Sequence, residues 1–314
     1  MRRLALALLA LSACSPKHII IGAAADALGG QGSGWGKDND PQLVADAVPF
    51  VLKTIDSLLD AEPKNVKLLL AGCSSYTEYA YAFVQQPAEM DPDFKPAQVE
   101  FARQRARNLL GRAYGYCLRG LDARHEGWTA AYQKDHQAAL AQLEKDDVPT
   151  IYWTAASLAL RISAEKDNPA LLTQLGQVGE LGERALALDE AWDHGSLHEL
   201  MEGYEASRPA VMGGSLERAK AHRDAALRES EGKKLGPWLT WAEDVDVAQQ
   251  NRAEFDKVLD QVLAFDVDSA IDFRLANVLA QRRAQWLKAH QDDLFVSAGS
   301  RPAWFALADA ELGR

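Results

Sequence analysis

Ile151-Tyr152-Trp153-Thr154-Ala155-Ala156-Ser157-Leu158-Ala159-Leu160-Arg161-Ile162 decides the fold. Its aliphatic positions 151, 155, 158 and 162 recur at intervals of three and four, which places them on one stripe of an α-helix. The same spacing runs outward in both directions. Leu43, Ala47, Phe50, Val51, Ile55, Leu58 and Leu59 repeat it near the start of the chain. Helical periodicity continues from Pro41 to about Leu294, and runs of alternating β-branched residues are missing. Breaks fall at Pro63, Pro87, Pro92-Pro96, Asp146-Asp147, Asp167-Pro169, Gly213-Gly214, Gly232-Gly236 and Asp266-Asp268. The chain reads as all-α.

Four segments echo the opening helix of a tetratricopeptide repeat, W-x-x-L-G-x-x-Y, in which a bulky, a small and an aromatic residue interlock with neighbouring helices. They are Leu69-x-x-Gly72-Cys73-x-x-Tyr76, Trp153-x-x-Ala156-Ser157-x-x-Leu160, His194-x-x-Leu197-His198-x-x-Met201 and Trp238-x-x-Trp241-Ala242-x-x-Val245. The closing phrase Ala185-Leu186-Ala187-Leu188-Asp189 returns more weakly as Val262-Leu263-Ala264-Phe265-Asp266, without the proline that normally follows. The expected architecture is a degenerate solenoid of about four helical hairpins, capped by a helix near 271–290. A helical solenoid of another type stays open. Trp153, at a bulky interlock position, is expected to be largely buried.

The N-terminus reads as an export signal. Met1-Arg2-Arg3 is a short positive segment, and Leu4 to Leu11 is apolar but too short to span a bilayer. Leu11-Ser12-Ala13-Cys14 looks like a lipobox, which makes residues 1–13 a lipoprotein signal peptide and Cys14 the acylated first residue of the mature chain. Ser15 in place of aspartate favours the outer membrane by the sorting habit of such lipoproteins. Residues 14–37 then form a lipid-anchored lead, with a short apolar helix over Ile19 to Leu28 and a flexible tether over Gly29 to Gly36. The tether is no phosphate loop, since Gln31 stands where glycine is required and Asp38 where a hydroxyl would hold magnesium. The helical domain occupies 38–296 and a tail 297–314.

Net charge is −11 for the full chain, and −13 once Arg2 and Arg3 leave 32 basic against 45 acidic residues. Nucleic acid is excluded as a partner because phosphate binding needs a positive footprint. Adsorption to anionic lipid is disfavoured for the same reason, so the acyl chains must hold the protein to the membrane. Cys73 and Cys117 sit among apolar residues on helices. An oxidising compartment permits a disulfide, but the neighbourhoods favour two buried thiols.

Little catalytic chemistry is visible. Asp193, His194, His198, Glu199 and Glu202 cluster in sequence, and His194 and His198 one turn apart on a helix could both reach one cation. Glycine follows His194, so there is no HExxH, and a packing or lining role is the expectation, with no metal and no cofactor. No G-x-S-x-G elbow occurs, and neither Cys73 nor Cys117 has a histidine beside it. An enzyme is the least favoured class. The aromatics Tyr152, Trp153, Trp192, Trp238, Trp241 and Trp286 fall near repeat starts or on inward faces, mostly as core.

Several phrases in order resemble the T component of tetratricopeptide-repeat-associated TRAP transporters, a group of periplasmic lipoproteins. They are Asp38-Asn39-Asp40-Pro41, Val148-Pro149-Thr150-Ile151-Tyr152-Trp153, Glu183-Arg184-Ala185-Leu186 through Asp193-His194-Gly195-Ser196-Leu197-His198, Gln249-Gln250-Asn251-Arg252-Ala253-Glu254-Phe255 and Arg274-Leu275-Ala276-Asn277-Val278-Leu279-Ala280-Gln281-Arg282-Arg283-Ala284. The resemblance spans roughly residues 19 to 296. It implies a non-catalytic subunit that associates with the periplasmic substrate-binding P component, forms homotrimers, and passes a hydrophobic organic acid or lipid through an apolar bore. Helix position then singles out His198, Tyr204, Arg208, Trp241, Arg274 and Asn277 as candidate ligand contacts. The rival readings are a scaffold that holds peptides or envelope proteins in its repeat groove, a lipid carrier for a different envelope pump, and a hydrolase built on His194 and His198.

Overall fold

A computed structural model of the chain describes residues 34–296. The expected signal peptide, Cys14, the expected helix over Ile19 to Leu28, most of the expected lead and the tail 297–314 lie outside the described residues. Gly34–Lys37 forms one 3₁₀ turn, and Trp35 in it packs on a core cluster, so the end of the expected tether belongs to the domain. Every regular element among the described residues is helical. The contacts divide the chain after Glu190 into two compact units.

The first unit is built on α1 (Pro41–Ala61), α2 (Val66–Glu78), α3 (Gln86–Met90) and α4 (Pro96–Arg124). Short α5 (Trp128–Lys134) and α6 (His136–Leu140) lead to α7 (Val148–Ala164), α8 (Pro169–Leu172) and α9 (Leu175–Asp189). Helix α1 starts where Asp40 accepts hydrogen bonds from the backbone N–H groups of Gln42 and Leu43, with Pro41 as the first helical residue. Asn65 caps α2 in the same way through Leu68 N–H. Between α2 and α3 the chain widens into a π-helix over Tyr79–Gln85.

Helix α4 explains how these helices come so close. Its buried face reads Ala102, Ala106, Leu110, Ala113, Cys117, Gly120 and Leu121, mostly small residues three or four apart. Gly72 of α2 faces it, and a β-carbon there would stand 2.8 Å from the Tyr116 ring. The glycine of the first repeat echo is therefore required by a neighbouring aromatic. Leu69, Cys73 and Tyr76 of the same echo are fully buried. The Tyr76 and Tyr116 hydroxyls donate to the two carboxylate oxygens of Asp56 on α1, at 2.9 and 2.6 Å, which ties three helices together.

This close approach overturns the expectation of two free thiols. Cys73 and Cys117 are joined in a disulfide, with their Cα atoms 5.0 Å apart and both residues fully buried. Hydrophobic surroundings and a bridge are compatible once two cysteines meet at bridging distance, which neighbouring small residues allow here.

Trp153 sits beside the core of its helix. The buried residues of α7 are Val148, Thr150, Ile151, Thr154, Ala155, Ser157, Leu158 and Ile162. Trp153 lies at the edge of that stripe, half-buried, with its ring edge-on to Tyr152. The tryptophan that fills the core is Trp128, 1 % exposed, whose Nε1 donates to the Ala139 carbonyl at 3.0 Å.

The second unit holds α10 (Ser196–Ala206), α11 (Leu216–Glu229), α12 (Gly236–Trp241), α13 (Arg252–Ala264), α14 (Arg274–Ala289) and α15 (Gln291–Leu294). Helix α12 runs on into a second π-helical segment, Ala242–Asp246. Phe255, Leu259, Val262, Ala284 and Leu287 form the core of its C-terminal half. Helix α14 falls where a capping helix was expected.

The third repeat echo is misplaced by two residues. Asp193, His194 and Gly195 all take positive φ, so α10 begins only at Ser196. Glycine suits this corner because of its φ of 84°, and because an added β-carbon would lie 3.0 Å from the Ala226 backbone.

Candidate functional site

Helix α10 carries His198, Glu202 and Glu205 four and three residues apart, hence on one face, and all three are buried. That helix packs along α11. His198 Nδ1 lies 2.9 Å from His222 Nδ1 of α11. One nitrogen must donate and the other accept, so this hydrogen bond cannot survive with both rings protonated. His194 is elsewhere, edge-on to Phe273. The two histidines expected to share one helix face therefore do not converge, because the corner at 193–195 breaks the helix between them. No group of three or more potential metal ligands occurs among the described residues.

Glu202 is 0 % exposed, and neither carboxyl oxygen has a hydrogen-bond partner among the described residues. Burial pushes its pKa up to about 10, helped by the negative charge of Glu199 and opposed by Arg223. At neutral pH Glu202 is thus an uncharged acid with a proton to donate. Arg223, next to His222, lays its guanidinium 4.0 Å from the Trp241 ring centroid and 5.5 Å from that of Trp238. Burial likewise raises Asp246, just beyond Trp241, to about 6, aided by Glu254.

His198 and Trp241 are thereby brought to the adjacent residues His222 and Arg223 of α11. Together they make a buried cluster of an imidazole pair, a neutral carboxyl and a cation held against indoles, with the carboxyl groups of Glu199, Asp224 and Asp244 nearby. Tyr204 and Arg208 form a separate pair. The Arg208 guanidinium sits 3.7 Å from the Tyr204 ring centroid, pairs with Glu205 at 3.0 Å and donates to the Met212 carbonyl, pinning the turn before α11. Arg274 pairs with Asp268 at 2.9 Å. Asn277, 2 % exposed, accepts from Leu235 N–H and donates to the Lys233 carbonyl, bracing the loop that enters α12. Sequence reasoning missed His222 and Arg223, which sit in a helix that reads as plainly polar.

A second feature, absent from the sequence reading, is an apolar groove of about 460 Å³ in the first unit. Phe83 and Val84 of the π-helix form one wall, and Phe94, Ala97, Phe101 and Arg105 from α4 and the turn before it form the other. Phe101 is 73 % exposed along its edge. The available signal was that Phe101 lies off the buried stripe of α4, with a second phenylalanine, Phe94, in the turn before it.

Comparison with known proteins gives a concordant result. The family model described as TRAP transporter T-component matches residues 37–295. An uncharacterized protein of Treponema pallidum (strain Nichols) is 31 % identical over 264 residues, which covers 83 % of this chain and 82 % of that protein.

Proposed function

The chain belongs to the TRAP transporter T-component family, and from that premise we propose how it serves a TRAP-type uptake system. It is a non-catalytic lipoprotein, acylated at Cys14 after removal of residues 1–13 and held at the periplasmic face of the outer membrane. It associates with the substrate-binding P component, self-associates as a trimer, and exchanges a hydrophobic organic acid or lipid with that partner. The helices act as a degenerate tetratricopeptide-like solenoid, and His198, Trp241 and their neighbours Glu202 and Arg223 supply polar contacts to the ligand. Tyr204, Arg208, Arg274 and Asn277 shape the loops around them.

The observation that carries this reading is the family match, which extends across nearly all of the described residues. Two features support it. A buried disulfide suits an oxidising compartment outside the cytoplasm. No helix among the described residues is long and apolar enough to cross a membrane, so attachment at Cys14 would leave the whole helical domain free to meet a soluble partner. The test is affinity purification of the tagged full chain from the membranes of its own host. A periplasmic substrate-binding protein of the TRAP type should co-purify in stoichiometric amount. Its absence, with the chain intact and membrane-bound, would overturn the transporter reading.

A further inference from the structure

We propose that the groove between the π-helix and the start of α4 binds the tail of a singly charged anionic amphiphile, a medium-chain carboxylate, with Arg105 holding the head group. The inference rests on the ligand-carrying reading above and adds a site that holds both head group and tail within the first unit.

Three observations converge on it. The groove's volume of about 460 Å³ falls in the roughly 300–1,000 Å³ range of small-molecule sites. Apart from Gln98 and Arg105, its walls are aromatic and aliphatic. An extended peptide would bring backbone N–H and C=O groups that such walls cannot satisfy, whereas a hydrocarbon tail brings none.

The second observation is the charge at one end. Three arginines lie within five residues on α4. Arg103 is taken by Glu89 at 3.4 Å and Arg107 by Glu100 at 2.6 Å. Arg105 has a different partner: its Nη2 donates to the Tyr79 hydroxyl at 3.2 Å, and its guanidinium lies 5.6 Å from the Tyr79 ring centroid. Tyr79 opens the π-helix and so fixes the guanidinium beside the groove, with donors to spare for a bidentate carboxylate. The complement of a guanidinium at the end of an apolar groove is an anion with an apolar tail.

The third observation is the π-helix itself. Such segments are rare and are found often at functional sites, because the extra residue per turn widens the helix and re-aims side chains. Here it puts Phe83 and Val84 on the groove wall about one turn after Tyr79.

The test uses the acylated full chain in nanodiscs. The probes are diazirine-tagged decanoate and the matching tagged alcohol, and the labelled sites are mapped by peptide mass spectrometry. Decanoate label should fall on peptides covering residues 83–105 and be competed away by untagged decanoate. Ala97→Trp, at an exposed position on the groove wall, should reduce that labelling at least tenfold. Arg105→Ala should weaken decanoate labelling about tenfold and leave alcohol labelling unchanged. Label concentrated around His198 and Trp241, or equal loss of acid and alcohol in Arg105→Ala, would overturn the assignment. So would an Ala97→Trp chain that labels normally. An Ala97→Trp chain that labels normally and loses self-association or its binding-protein partner would instead mark the groove as a protein interface. The Ala97→Trp chain should still co-purify with the substrate-binding protein, so failure of the groove proposal and failure of the transporter reading give different results.

Discussion

Removing the Cys73–Cys117 bridge by the double substitution Cys73→Ala/Cys117→Ala should be the most damaging small change in the first unit. The two cysteines are 44 residues apart, so the bridge closes a loop of about 45 residues in the unfolded chain. By loop-closure entropy this is worth about 4 kcal/mol at 25 °C. Both residues are fully buried, and losing two sulfur atoms there adds about 1 kcal/mol for the space left behind. The expected loss is therefore about 5 kcal/mol, a large part of the stability of an ordinary domain. Urea denaturation followed by circular dichroism measures it, on full chains carrying Cys14→Ser so that no third thiol can exchange. Wild type treated with reductant should show most of the same loss, since reduction opens the loop without emptying the site. The reasoning fails if the double variant unfolds within about 1 kcal/mol of the parent, or if a free-thiol assay on the unfolded parent finds both cysteines reduced.

Three further outcomes follow from particular contacts. Glu202 is neutral in the folded chain and ionised in the unfolded chain at neutral pH, so its contribution is present below the ordinary glutamate range and lost as pH rises toward about 10. Glu202→Gln should remove that slope, and denaturant midpoints between pH 5 and pH 9 should fall less steeply than in the parent. Gly72→Ala puts a methyl group 2.8 Å from the Tyr116 ring and should cost about 1–3 kcal/mol. The cost should shrink when Tyr116→Leu is added, as a double-mutant cycle would show. Trp128→Ala should cost about 3–5 kcal/mol as a core truncation, whereas Trp153→Ala, from a half-buried position, should cost measurably less in the same melt.

The sequence makes the helices legible because a buried stripe must recur every three to four residues whatever it packs against. Ile151, Ala155, Leu158 and Ile162 are all buried for that reason. The stripe does not say which residue stands on the other side. Trp153 and Trp128 are chemically alike, yet only Trp128 meets a facing surface that encloses it. Cys73 and Cys117 each have the surroundings of a buried thiol, and only the relative position of α2 and α4 turns them into a bridge. That position is encoded diffusely, in Gly72, Ala106, Ala113 and Gly120, whose common property is the lack of bulk. The corner at Asp193-His194-Gly195 escaped for a local reason. The preceding helix ends at Asp189 without a proline, so only Gly195 hinted at a break.

The same physics accounts for how the two candidate sites were hidden. Arg223 lies in Leu216–Glu229, a helix so polar that it reads as solvated surface. Its guanidinium nevertheless reaches two indoles on the next helix, and its neighbour His222 reaches His198 on the previous one. A long side chain with an apolar stem can serve a buried contact from a polar face, so polarity of a helix does not mark its residues as exposed. The groove shows the converse. Phe94 and Phe101 are apolar yet lie off the core stripe, and aromatics out of phase with burial leave apolar surface uncovered. In each case the informative residue is the one that contradicts its own helix, a cation on the inner side or an aromatic on the outer. Such contradictions cost stability unless something answers them. Trp238 and Trp241 answer Arg223 within the chain, whereas the groove beside Phe101 would be answered by the tail of the proposed ligand.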